Sequence, residues 1–587
     1  MEELTKTLLE NGSIQKTDHE YILSVRPSDV HVPDSVQGII AARMDRLGDH
    51  IKRTMQVASV IGRDFAYSIL QTITGMEEKL KSYLLNLQNL EFIYEKSLFP
   101  ELEYIFRHAL TQEVAYGSIL LQKRKELHER IGRAIEQIYG ERLEEFLETL
   151  AYHYSRSDNF EKAYHYTRLS GDKAIGKHSA WEALGCYKEA LKALHGYPDS
   201  REKRKRQMEI FHLILVPVII LSFPKESLTI LEEGKNLAKE MGDMKSLMRF
   251  YGNMGLYYSS RGNHTEGKRY AVKAFDGAEN IHDIDAMAQS GPDLSISYAA
   301  EGDYENAIDV AFRVTSALEK TDRQNETFGG PTNVYSTLSG MRGADLARLG
   351  HFEEALASCE KAFHEAVKIN RPITLGLCES YFGMIHSIRG QGEPAKARFQ
   401  KGIRYLEEVQ FLQPLANTWT ALGYAHFLLG EPEAGTECAN KGLRIQTRTG
   451  SEWFKSHHYK VLGICSFERG EYGQARDHME EAINLAVNNS EKHYMGIALT
   501  WLGRILGQTD SPDPDGALKH ISKGIDILEA LKTKPDLAIG YLFLGELFAL
   551  SGRKKEALDE LEKAEGMFLK MKMDYWPEKT REILGSL

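Results

Sequence analysis

The stretch Leu462-Gly463-Ile464-Cys465-Ser466-Phe467-Glu468-Arg469-Gly470-Glu471-Tyr472-Gly473-Gln474-Ala475-Arg476-Asp477-His478-Met479-Glu480-Glu481-Ala482-Ile483 decides the fold. It reads as two helices joined by a tight turn. Gly463 lets a second helix approach closely. Gly470, seven residues on, falls at the turn, where a left-handed backbone costs glycine nothing. Ala475 and Ala482 face back across the pair, and Tyr459, Leu462, Phe467, Tyr472, Met479 and Ile483 fill the apolar positions at helical spacing. The pattern repeats along the chain: Gly343, Gly383, Gly423, Gly463 and Gly503 are each 40 residues apart, and Gly350, Gly390, Gly430 and Gly470 keep the same step. Ala355, Ala395, Gly435 and Ala475 form a third series. Weaker copies lie at Gly255, Gly262 and Gly267, at Gly302 and Ala307, and at Gly545, Gly552 and Ala557. The faintest are at Ala151, Asp158 and Ala163 and at Gly171, His178 and Ala183. Such pairs bury their apolar faces only by stacking, so the series predicts an α-solenoid of about eleven units over residues 141–575, with a tail at 576–587.

The small-x6-Gly-x4-Ala-x6-Ala pattern resembles the tetratricopeptide repeat, with a period of 40 in place of about 34 residues. The phase breaks twice. Ser295 stands where a small-residue glycine is due, and eight extra residues fall near the polar loop Thr321–Asn333. Asp510–Gly516 lengthens one turn by two. Both read as tolerated surface insertions. The resemblance implies a groove that takes a protein or peptide, lined by first-helix residues one and four places after the small residue. These include Tyr424, Phe427, Ile464, Phe467, Arg504 and Glu546. The competing reading has Tyr424, Phe427 and Phe467 packing between neighbouring units.

Composition narrows the function. The 587 residues carry 42% hydrophobic and 27% charged side chains, as an ordinary globular protein does. A net charge of −11 argues against nucleic acid as the main partner, because phosphate binding needs a concentrated positive field. Cys186, Cys359, Cys378, Cys438 and Cys465 lack metal or redox spacing, which points to a reducing, cytoplasmic setting. The longest apolar run, Ile210 to Phe223, is too short for a membrane span and reads as a buried helix.

The first 140 residues are not periodic. Glu2 to Glu10 reads as a helix and Tyr21 to Val25 as a short strand. Helices follow at 36–47, 50–61, 66–73 and 77–89, then strands at 92–95 and 102–106 and a long helix at 107–139. This order predicts a winged-helix-like domain over 31–140. Four segments, Val32-Pro-Asp-Ser-Val-Gln37, Ala42-Arg-Met-Asp-Arg-Leu47, Ala58-Ser-Val-Ile-Gly-Arg-Asp-Phe65 and Phe106-Arg-His-Ala-Leu-Thr-Gln-Glu-Val-Ala-Tyr116, resemble one bacterial family. That family joins a class III adenylate/guanylate cyclase, an AAA-like ATPase, a winged-helix segment and a tetratricopeptide tail. The resemblance covers the family's C-terminal half and implies that residues 1–30 are the end of an ATPase module.

Catalytic motifs are not legible. Gly171-Asp-Lys-Ala-Ile-Gly-Lys-His178 approaches a phosphate loop but has His where the hydroxyl belongs and no preceding strand. His457-His458, beside Trp453 and Lys460, is the densest polar–aromatic cluster and reads as packing; His108 and His128 read as core or interhelical residues. No catalytic, cofactor or metal residue is assigned, and no cofactor is expected. The expectation is a non-catalytic interaction and regulatory module without nucleic-acid or membrane partners. The alternatives are the C-terminal part of a longer cyclase or ATPase, and the ligand-sensing part of a transcription regulator.

Overall fold

A computed structural model describes residues 14–16, 21–23, 36–76, 78–99, 101–509 and 511–587. The helix expected at Glu2–Glu10 lies outside these residues. The chain divides into two compact units: residues 1–173 with 185–203, and residues 174–184 with 204–587.

In the first unit the short strand Tyr21–Leu23 pairs antiparallel with Ile14–Lys16. Helices Val36–Asp45 and Asp49–Ile61 precede a strand at Asp64–Ala66; helices Tyr67–Thr74 and Lys79–Asn89 then lead to strands Ile93–Ser97 and Glu103–Phe106. Glu103–Phe106 is the central strand, antiparallel to both others. The sequence reading lacked the strand at Asp64–Ala66, three residues whose hydrophobic pattern is too short to register. The segment 107–139 is two helices, Ala109–Gly117 and Leu121–Ile138. The break follows Gly117, and the Ser118 hydroxyl donates back to the Ala115 carbonyl at 2.7 Å.

The second unit is a right-through α-solenoid of tetratricopeptide-like helix pairs. Among the described residues nine pairs run from Arg201–Ile220 with Ser227–Met241 to Lys534–Leu550 with Lys554–Met571, and the helix Tyr575–Leu584 closes the series. The faint frames at Ala151 and Gly171 share one helix, Phe160–Gly176, so they describe three successive helices. The apolar run from Ile210 falls in the helix Arg201–Ile220, where Ile210, Phe211, Ile214, Leu215 and Val218 are buried. Among the described residues no helix is long and apolar enough to cross a membrane.

The two helices of a pair differ. Second helices are one-sided: Phe352–Ile369 buries Phe352, Ala355, Cys359, Ala362 and Ala366 on one stripe. First helices are covered on nearly every side, as in Val334–Arg348 and Lys534–Leu550. The frame glycines explain the close approach. A Cβ on Gly423 would sit 2.6 Å from the Gly435 carbonyl oxygen, and one on Gly343 would sit 2.8 Å from that of Ala355. Ser295 fills the same place; it is fully buried and its hydroxyl donates to the Ala307 carbonyl at 3.1 Å, so the frame continues through it. Gly463→Leu is expected to cost about 1–3 kcal/mol by overpacking, because its Cβ would lie 2.9 Å from Met479 and 3.2 Å from the Ala475 oxygen. Chemical denaturation of the variant checks this, and an unchanged midpoint would reject the contact.

The array also coils onto itself. Contacts join residues 183 to 227 positions apart, about five repeats. The Tyr304 hydroxyl meets His493 Nδ1 at 2.6 Å. Arg389 Nε donates to the Lys572 carbonyl at 2.9 Å, and the Asp574 N–H donates to the Arg389 carbonyl at 3.0 Å. Lys532 pairs with Glu305 at 2.7 Å. Successive superhelical turns therefore touch, which leaves the inner face of the first helices partly filled.

Candidate functional site

Three columns of first-helix residues form one stripe on the inner face. Counted from the small residue of each repeat, they stand six before, two before and one after, a spacing of i, i+4, i+7. The first column holds Arg249, Gln289, Thr337, Leu377, Asn417 and His457; all six line a single cavity of about 340 Å³. So do Asn253, Asp293, Met341, Tyr381 and Ala421 of the second column and Leu256, Ile296, Ala344 and Met384 of the third. The cavity lies wholly within the second unit.

The loop Thr321–Asn333 closes one wall, with Thr327–Thr332 facing inward. Arg249 donates to the Gly329 carbonyl, and Gln289 Nε2 donates to that of Phe328 at 2.9 Å. Asn333 is fully buried; its amide donates to the Gln324 and Glu326 carbonyls, and its oxygen caps the next helix at Ser336 N, 2.8 Å away. The insertion read as a bare surface excursion is thus a structured wall of the interior.

The electrostatics are unusual for a core. Asp293, Asp345, Arg249 and Arg348 place ionisable groups on a lining that is otherwise mostly apolar. Burial pushes the Asp293 carboxyl up to about 8, with the nearby Arg249 working against the rise. Burial raises Asp345 to about 7, although Arg348 Nη1 donates to its Oδ1 at 2.9 Å. A carboxyl held high in the fold binds its proton more tightly folded than unfolded. Its cost is therefore absent below about pH 4 and grows as pH rises toward 8. Asp293→Asn is expected to melt at a temperature that gains on the parent steadily from pH 5 to pH 8. A difference that stays flat across that range would show Asp293 to be ionised throughout.

The six groove candidates sit further along the same inner face. Ile464 and Tyr424 occupy the column one after the small residue, as Leu256 to Met384 do, and they line a smaller neighbouring cavity. Phe427 is 2% exposed, Ile464 0% and Phe467 7%. Phe427 and Phe467 meet the Trp501 ring edge-on, each at 5.9 Å, and Phe427 also contacts Tyr575 and Trp576 of the closing helix. Arg504 lays its guanidinium 4.7 Å from the Phe467 ring and 4.6 Å from that of Phe543, and its Nε donates to Glu546 at 2.7 Å. The structure thus brings all six together, in a layer covered by Trp501, Phe543 and Trp576.

The histidine cluster also turns inward. His458 is fully buried between Thr420 and Gln446, and burial holds it down at about 3. His457 lines the large cavity. In the first unit His128 bridges Tyr116 and His153, at 3.1 and 2.9 Å. Residues 171–176 are helical, and a Cβ on Gly171 would strike the Tyr187 ring at 2.4 Å, so this segment is no phosphate-cradling loop. Among the described residues no group of three His, Cys, Asp or Glu could hold a metal ion. Sequence reasoning missed Arg249, Asn253, Asp293, Gln289 and Asp345. The signal was present: polar residues recur at fixed offsets from the frame on helices otherwise apolar on every side.

The family described as anaphase-promoting complex subunit 5 matches residues 175–252 and 445–509. No curated protein matches the sequence. A signal transduction ATPase with numerous domains and a tetratricopeptide repeat sensor, from Pyrococcus horikoshii, is 13% identical; the match spans 95% of this chain and 68% of that one, with a TM-score of 0.34. A Rap protein solved with competence and sporulation factor is 13% identical over 70% of this chain and 98% of its own, with a TM-score of 0.37. The Cut9-Hcn1 hetero-tetramer of the anaphase-promoting complex gives 13%, 78%, 87% and 0.42.

Proposed function

We propose that this chain is a non-catalytic regulatory module whose repeat array takes a protein or peptide along its inner face. The observation that carries the reading is the stripe: columns at three fixed offsets from the frame turn the same way over four to six consecutive repeats, presenting one continuous lining. An extended segment matches such a surface, because each repeat offers it an equivalent side-chain contact. On this reading Tyr424, Phe427, Ile464, Phe467, Arg504 and Glu546 continue the groove once the helix Tyr575–Leu584 is displaced. The helix–strand–helix–helix–strand–strand order over 49–106 supports a winged-helix domain, which the family resemblance would place between this array and an ATPase or cyclase in a longer relative. The helical state of residues 171–176 supports the absence of a nucleotide site here.

The test is selection of peptides on the purified full chain, followed by hydrogen exchange of the complex. Protection is expected on first helices such as Ile284–Glu301 and Val334–Arg348. Protection confined to second helices would reject the inner face as the partner surface. One-to-one ATP binding by calorimetry would reject the non-catalytic reading.

A further inference from the structure

Arg249 and Gln289 stand at the same place in successive repeats, 40 residues apart. Both direct their donors at the chain's own loop. Arg249 Nη2 donates to the Gly329 carbonyl and Gln289 Nε2 to that of Phe328 at 2.9 Å. Two neighbouring repeats thus hold two neighbouring carbonyls of one backbone, as a repeat array grips a separate chain laid against it. The held segment is a tight turn. The Gly330 N–H donates to the Thr327 carbonyl at 2.9 Å, and Phe328 and Gly329 both have left-handed backbone, with φ of +51° and +73°. Two consecutive positive φ values inside such a bond mark a type I′ turn, whose centre favours Gly, Asn or Asp. Phe328 is none of these, so the turn is strained where it meets Arg249 and Gln289. Its ends are anchored separately. Arg323 pairs with Asp285 and Glu326, each at 2.6 Å, and lies 4.8 Å from the Phe328 ring; the buried Asn333 side chain fixes the other end. Only the tip, Thr327–Thr332, turns inward, and Gly329 on it is exposed. A strained, exposed tip between fixed ends can leave its place without unfolding the helices around it.

We propose that Thr327–Thr332 is a built-in occupant of the inner face, which a peptide partner displaces by offering its own backbone carbonyls to Arg249 and Gln289. This rests on the inner-face reading of the array and adds its regulation. A tip on so short a tether competes at an effective concentration of about millimolar. Only molecules with the tip swung out present both donors, and the apparent affinity for a partner is lowered by that fraction. Arg249 Nη1 also reaches His212 Nδ1 at 3.3 Å, a contact that keeps the guanidinium in place when the tip leaves.

The experiment compares the full parent chain with Gly329→Pro, using one random peptide display library as the probe. Proline cannot hold a φ of +73°, so the turn opens, and faster hydrogen exchange at the Gly330 amide verifies this. Peptides selected on the variant are expected to bind it at least tenfold more tightly than they bind the parent. Adding Gln289→Leu to the variant is expected to weaken them at least tenfold. In the parent, a bound peptide is expected to speed exchange at Gly330 while protecting Ile284–Glu301. If Gly329→Pro fails to fold, Gly329→Val serves: its Cβ would lie 3.1 Å from Arg249 Nη1, and a β-branched residue is an outlier at that φ. The proposal is overturned if the peptides bind both chains equally, if Gln289→Leu leaves their affinity unchanged, or if a bound peptide leaves Gly330 exchange unaltered. In all three cases protection of the first helices keeps the inner-face reading standing. Peptides that protect only second helices, or a selection that yields none, reject that reading and the proposal with it.

Discussion

Trp501→Ala is expected to be the most damaging single truncation in the repeat array, at about 3–5 kcal/mol. Trp501 is 2% exposed and sits at the centre of an aromatic layer drawn from five helices of the chain. Its ring contacts Phe427, Phe467, Phe543 and Trp576 at centroid distances from 4.8 to 6.4 Å. Removing it opens a cavity that the flanking helices cannot close, because each is pinned on its other side by the next repeat. It also strips the Arg504 guanidinium of one of three ring faces while leaving the Glu546 pair in place. The loss should appear first as faster hydrogen exchange in Lys492–Gln508 and Tyr575–Leu584, then as a lower denaturation midpoint. A midpoint within about 1 kcal/mol of the parent would mean that the layer is loosely packed and open to a partner, as the groove reading requires.

Gly390→Ala and Gly470→Ala should separate sharply, although the two glycines are equivalent in the repeat. Both hold left-handed backbone, with φ of +88° and +75°. Each alanine therefore carries a conformational penalty of about 1–2 kcal/mol. A Cβ on Gly470 meets open space, whereas one on Gly390 would lie 2.9 Å from both the nitrogen and the Cβ of Tyr575. Backbone on the far side cannot rotate away, so overpacking adds about 1–3 kcal/mol at Gly390 only. Gly262, Gly302 and Gly350 face Asn489, Leu531 and Met571 in the same manner. Equal thermal shifts for the two variants would show that the superhelical turns do not press together in solution.

The repeat was legible because its physics is local. A glycine or serine between two helices seven residues short of a turn answers to neighbours within one pair, and every pair states the rule again. Ser295 shows how little latitude exists, since between Gly255 and Gly545 the one exception to the glycine series is another small residue, bonded across the same gap. The turns that follow the second helices were not legible. His282, Asp322, Asn370, Gln410, Ser490, Lys532 and Lys572 all adopt positive φ at repeat spacing, yet only Gly242 and Gly450 in that series are glycines. Most are closed by a local backbone bond, as from the Asp283 N–H to the Ala278 carbonyl and from the Thr533 N–H to that of Leu528, a closure that tolerates many residue types and leaves no compositional mark.

The sequence alone determined the class of the fold, its period and which residue of each repeat turns inward; the offset that selects Tyr424 and Ile464 also selects Leu256, Ile296, Ala344 and Met384. What only the tertiary structure decided is how far that inner face stays open. The answer is set by a small rotation between neighbouring repeats, summed over about five of them until Tyr304 reaches His493 and Arg389 reaches Lys572. No single residue encodes that sum. It leaves a mostly apolar cavity walled by Thr321–Asn333 at one place and, further along, a layer sealed by Trp501 and Trp576.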